Sequence, residues 1–151
     1  MSASGFTFDA SEQFWQKRPD NRRAFETPEE LRAAAENAFT WLHKHPKRRA
    51  LTFHYKGAIT KTYETCERPF TFHALALRLG LSYNGLNGYR DKPGFAEVME
   101  WIDDVIYVQK FEGAATGLLN PNFIARDLGL AEKSEVKSGV TVIIEGEDAD
   151  L

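Results

Sequence analysis

The stretch RPFTFHALALRLGLSYNGLNGYRDK, residues 68–92, decides the fold. Thr71 stands where a hydroxyl caps a first helix running through Leu79, and Leu75, Ala76 and Leu79 share its inward face. Gly80 supplies the left-handed backbone that a tight turn requires. Ser82 then caps a second helix, whose Leu86 and Tyr89 return to the core, and Ala76 offers a small side chain where the two helices cross. The pattern is that of a helix-turn-helix. It leaves Ser82, Tyr83, Asn84, Asn87 and Arg90 facing outward. In a recognition helix those groups suit the major groove, since asparagine pairs bidentately with adenine and arginine with guanine. Gly85 and Gly88 weaken the second helix by about 1 kcal/mol each relative to alanine, so it is expected to be short, frayed or ordered on DNA. The competing reading is a three-helix packing unit whose polar face meets only water.

Upstream, Thr27-Pro28-Glu29-Glu30 combines a capping hydroxyl, a proline at the first helical position and a glutamate three residues beyond the cap. Leu31, Ala34, Ala35, Ala38, Phe39 and Leu42 recur at helical spacing until His45-Pro46 ends the run. Residues 51–63 change to β-branched and aromatic residues around Lys56-Gly57, which predicts a β-hairpin. A two-residue loop pairs Tyr55 with Ala58 and a three-residue loop pairs it with Ile59, and the sequence leaves that register open. Residues 1–26 read as an arm that docks through aromatics such as Phe14, Trp15 and Phe25.

Downstream of Pro93-Gly94 a long helix carries two apolar stripes, one of Phe95, Val98, Met99, Ile102 and Ile106, the other of Trp101, Val105 and Val108. Two stripes need two partners. One is the chain's own core; the second is either a neighbouring subunit or more of the same core. Gly113 to Gly117 is expected to interrupt this helix, and Asn120-Pro121 starts a short last one that stops at Gly129. Val140 to Ile144 reads as a strand followed by an acidic tail, and a lone strand has to pair with the hairpin or with other chains.

The formal charge of −3 over 151 residues hides a strong asymmetry. Residues 44–92 carry ten basic and three acidic side chains, whereas 93–131 and 132–151 each carry two basic and six acidic ones. The choice is between a solvated basic face and a polyanion-binding one. Lys47, Arg48, Arg49, Arg68, Arg78 and Lys92 are the expected phosphate contacts, which set affinity and salt dependence rather than sequence choice. Catalysis finds no support. Cys66 and the four histidines sit in no nucleophile motif, there is no phosphate loop or dinucleotide fingerprint, and the acidic residues Glu97, Glu100, Asp103 and Asp104 have no histidine beside them to suggest a metal. No enzyme activity, cofactor or metal is therefore expected. One cysteine, no apolar leader and no run near the roughly 20 apolar residues of a membrane helix predict a soluble protein of the reducing cytosol.

The chain resembles the small terminase subunits of tailed double-stranded DNA bacteriophages. The likeness is carried by Phe14-Trp15, FETPEELRAAAENAFTWL at 25–42, RPFTFHALALRLGLS at 68–82, the helix from Gly94-Phe95, and KFEGAATGLLNPNFIARDLGL at 110–130. It implies a mainly helical, non-catalytic protein of the host cytoplasm that assembles as a ring, recognises the packaging-initiation site of viral DNA and regulates a large ATPase/nuclease subunit. In those terms 1–26 is an arm, and 27–92 is the DNA-binding region of capped helix, hairpin and helix-turn-helix. Residues 93–131 are then oligomerisation helices and 132–151 a strand with an acidic tail. The implied oligomer interface takes in Phe95, Val98, Met99, Trp101, Ile102, Val105, Val108, Val142 and Ile144. The acidic tail suits docking to the large subunit better than contact with DNA. Two other functions fit the same residues: a regulator that binds operator DNA as a dimer, and an adaptor that binds only protein.

Overall fold

The computed structural model describes Trp15, Asp20 and residues 25–130. Among them the chain is mainly α with one β-hairpin, as the periodicities predict. Helix α1 spans Pro28–Lys44 and begins at Thr27, whose side chain accepts from the Glu30 N–H at 3.3 Å. Glu30 in turn accepts from the Glu26 N–H at 3.2 Å, so the box closes one residue before the cap. All six residues of the anticipated apolar stripe are buried.

Strands β1, Lys47–Tyr55, and β2, Ala58–Cys66, form the hairpin. Tyr55 pairs with Ala58, and Lys56 and Gly57 take φ values of 47° and 78°. This is the two-residue loop with both central residues left-handed, the geometry whose twist matches the strands. Leu51, Phe53 and Tyr55 point to one face of the ribbon, and Arg48, Ile59, Lys61 and Tyr63 to the other. Along most of its length neither face is covered: only Leu51 and Cys66 are half-buried.

Helix α2 spans Phe72–Arg78 and α3 spans Tyr83–Asn87, followed by a 3-10 turn at Gly88–Asp91. Helix α4, Ala96–Ala115, crosses α1 and the 3-10 turn, and α5, Pro121–Asp127, folds back on its end. The core joins Leu31, Ala35, Leu42, Leu75, Leu81, Leu86, Met99 and Ile102 from four helices and their connections. Phe25 belongs to it, packed against Tyr89 with ring centroids 6.0 Å apart, and its N–H donates to the buried Tyr89 hydroxyl at 2.6 Å. Burial raises the Tyr89 phenol above its usual range, and that hydrogen bond partly offsets the rise.

Two expectations change here. Gly113 does not interrupt α4, which runs on to Ala115 and turns at Gly117 with φ of 76°. Gly113 is instead a close-approach position, where a Cβ would stand 2.6 Å from Leu119 Cδ1 as the following loop folds over the helix. Phe95, Val98, Met99 and Ile102 lie in the chain's own core, so of the expected interface residues on α4 half-buried Trp101 and Val105 and exposed Val108 are left for a partner. Val142 and Ile144, with the C-terminal strand and most of the N-terminal arm, lie outside the described residues.

Candidate nucleic-acid interface

Thr71 Oγ1 accepts from the Ala74 N–H at 3.0 Å and Ser82 Oγ from the Gly85 N–H at 3.0 Å, so both expected caps form. Gly80 takes φ of 74° between the helices, and its carbonyl accepts from the Asp20 N–H at 2.9 Å, tying the incoming arm to the turn. Helix α3 is only five residues long, in keeping with the two glycines. It exposes Tyr83 and Asn84 while Leu86 is buried. Tyr83 is stacked on His73 at 4.4 Å and meets Phe72 edge-on at 5.1 Å, which fixes its ring against α2.

Arg90 and Asn87 are bonded within the chain. Arg90 donates from Nε to Asn87 Oδ1 at 2.8 Å and from both Nη atoms to the Asp103 carboxylate at 2.6 and 2.8 Å. This fork raises the guanidinium pKa further and ties the 3-10 turn to α4. A contact from Arg90 to a base therefore has to displace Asp103. Arg78 is the clearer departure from expectation. It is 2% exposed, with its guanidinium 3.9 Å from the centroid of Trp41, and its position does not fit the expected phosphate contact. Its α2 neighbours Leu75 and Ala76 are buried too, so the basic residue simply sits on the inward face of a short helix. Lys92 is exposed, its ammonium over the Tyr89 ring at 4.3 Å.

The other cations cluster where the hairpin leaves the helices. Arg48 lies over Tyr63 at 4.7 Å, and Arg49 is paired with Glu64 across the ladder, which raises its pKa. Arg68 donates to the His45 carbonyl at 2.8 Å and lies over Trp41 at 5.3 Å. Together with Lys47 these residues form a basic collar at the hairpin base. It is joined to the α2–α3 unit through Trp41, which Arg68 and Arg78 both approach.

Two residues that hold this arrangement were not singled out from the sequence. Gln109 on α4 accepts from the Phe70 N–H at 2.9 Å and donates to Glu67 and to the Arg68 carbonyl, fastening the β2–α2 connection. Lys110, 8% exposed, donates to Asp127 at 2.6 Å and fixes α5. A polar pair inside an otherwise apolar helical run is the only signal that marks them. Among the described residues no helix is long and apolar enough to cross a membrane, and no cluster of His, Cys, Asp or Glu has the makings of a metal site.

Comparison with known proteins places this geometry in a family. The family model of DNA-packaging protein gp3 matches residues 20–136, which include every element described above. The small terminase subunit of Salmonella phage P22 is 38% identical over 127 residues, covering 83% of this chain and 78% of that protein. The chain belongs to this family of phage DNA-packaging proteins, the small terminase subunits, as the motifs at 25–42, 68–82 and 110–130 imply.

Proposed function

We propose that the protein is a non-catalytic oligomer, probed by its basic face, that recognises double-stranded viral DNA at the packaging-initiation site and regulates the large terminase ATPase/nuclease. The observation that carries this reading, beside family membership, is the concentration of ten basic side chains in residues 44–92 next to acidic helices. In the proposal Lys47, Arg48, Arg68 and Lys92 meet phosphates, while Arg49, also expected there from the sequence, is held by Glu64. The α2–α3 unit acts as the helix-turn-helix, reading base edges from Ser82, Tyr83 and Asn84, and Asn87 and Arg90 join when the Asp103 fork opens. A five-residue recognition helix makes weak contacts singly, and a ring adds them through effective concentration. The acidic surface of α4 and the tail at 145–151 stay clear of phosphate and suit the basic surfaces of packaging partners. The host cytoplasm is the compartment this role requires.

Titration of duplex DNA with the full-length protein at several salt concentrations tests it. The expected result is binding whose logarithm falls linearly with that of salt, and stimulation of the large subunit's ATPase by the same preparation. Salt-independent association, or none at low salt, would sink the DNA role and favour an adaptor.

A further inference from the structure

Two features of the described chain are left without a partner, and they are complementary. The first is the hairpin, whose residues 47–66 carry five basic side chains and one acidic one, and which exposes Phe53, Tyr55, Ile59 and Tyr63. Tyr55, beside the tip, is 71% exposed. A two-stranded ribbon is marginal in water without a sheet or helix against it. The second is a groove of about 750 Å³ between α1 and α4, floored by Phe39, Phe70, Val105 and Val108 and edged by Asp104 and Glu112. That volume falls inside the roughly 300–1,000 Å³ of sites that enclose a compact, mostly apolar body.

Resting on the oligomeric reading above, we infer that the hairpin tip of one copy, led by Phe53 and Tyr55 and flanked by Lys56 and Lys61, seats in the α1–α4 groove of a second copy. A chain cannot fill its own groove this way. Glu67, which also lines the groove, follows directly on β2, so the tip stands a nine-residue strand away, roughly 30 Å at about 3.3 Å per residue. The acidic tail at 145–151 would meet Asp104 and Glu112 with like charge. Asp20 and Phe25, from the N-terminal part of the chain, contact Gly80 and Tyr89, neither of which lines the groove. Duplex DNA matches the hairpin's charge but not its exposed phenyl and phenol rings, and it is repelled by the groove.

Hairpin and groove are different surfaces, so one subunit can engage two neighbours head-to-tail, which gives a ring where the rotation between neighbours closes, whereas reciprocal exchange between two copies gives a two-fold dimer. Each subunit both inserts a hairpin and receives one. Such a contact leaves the basic collar at the hairpin base outside the groove.

The test uses the full-length chain and two variants at exposed positions, Phe53→Ser/Tyr55→Ser in the hairpin and Asp104→Lys/Val108→Lys in the groove, with thermal melts showing that both are folded. Native mass spectrometry and sedimentation velocity should show each variant dissociating at concentrations at least about tenfold above wild type, the scale of losing a central aromatic anchor. Mixed together, the two variants should give a one-to-one heterodimer, because each retains the half the other lacks. As a second route, Tyr55→Cys and Val108→Cys in a Cys66→Ser background should form an oxidised ladder of covalent oligomers. Wild-type assembly by both variants, or dissociation without a heterodimer on mixing, overturns the inference. So does a hairpin variant that assembles normally but loses DNA, which would make the tip a nucleic-acid element. A wild-type chain that is strictly monomeric removes the oligomeric reading itself, and is told apart by the control alone.

Discussion

Arg48 and Arg49 are neighbours in sequence on opposite faces of β1, and they should contribute very differently to DNA binding. Arg49 is ion-paired with Glu64, so the couple presents almost no net charge to a phosphate. Arg48 lies over the Tyr63 ring and has no carboxylate partner among the described residues. Each phosphate neutralised contributes about 0.9 to the slope of log K against log salt, which between 50 and 200 mM amounts to about 3.5-fold in affinity per contact. Arg48→Ala should therefore flatten the slope by about 0.9 for every subunit engaged, and Arg49→Ala by a small fraction of that. Glu64→Gln should do the reverse, releasing Arg49 and steepening the slope by about 0.9. All three side chains are exposed on the hairpin, so melting temperatures should barely move, and a loss of binding is not a loss of fold. The assay is fluorescence anisotropy of a labelled duplex at five or six salt concentrations. An unchanged slope in Arg48→Ala, or a flatter one in Glu64→Gln, would refute the collar as the phosphate site.

Gly113→Ala should destabilise the chain by up to about 2 kcal/mol, as overpacking against Leu119 of about 1–3 kcal/mol outweighs a helix-propensity gain near 1. In a Leu119→Ala background the same change should turn stabilising, and chemical denaturation that shows no sign reversal contradicts the close approach. Tyr89→Phe leaves the Phe25 N–H without its acceptor and should cost about 1–3 kcal/mol in the same assay. Because burial raises the Tyr89 pKa, its stabilisation is complete below the unfolded phenol value near 10 and is lost as pH rises through the folded one. Melts from pH 8 to 11 should therefore fall less steeply for the phenylalanine variant. Asp103→Asn should loosen the Arg90 fork with a stability loss of about 1 kcal/mol or less and strengthen DNA binding, whereas unchanged binding would make the fork purely structural.

The helices and the hairpin were legible because each is fixed by local chemistry. Thr27, Thr71, Ser82 and Asn120 all accept the backbone N–H that their positions promise, and the apolar spacing of α1 maps residue for residue onto the core. The hairpin register needed the actual φ values of Lys56 and Gly57, since turn residues of this kind permit more than one loop length. Side-chain direction on the short helices was less legible. Arg78 counts as a cation in any charge tally, yet it lies on the inner face of α2, and that becomes visible only once Trp41 of α1 is packed beside it. The two stripes of α4 were recognised, but their division between core and partner depends on which one α1 and the 3-10 turn cover. Gln109 and Lys110 act through residues about 40 and 17 positions away, a separation that no local pattern encodes.

The central claim is that residues 44–92 present the DNA-binding surface of an assembled, non-catalytic packaging subunit. Hydrogen exchange of the full-length oligomer with and without saturating duplex tests it most directly, because it reads every segment in one experiment. The account predicts added protection at the hairpin base and across the α2–α3 unit, with the α4 backbone unchanged. Protection confined to residues 1–24 or 131–151, with 44–92 exchanging as in the free oligomer, would contradict it.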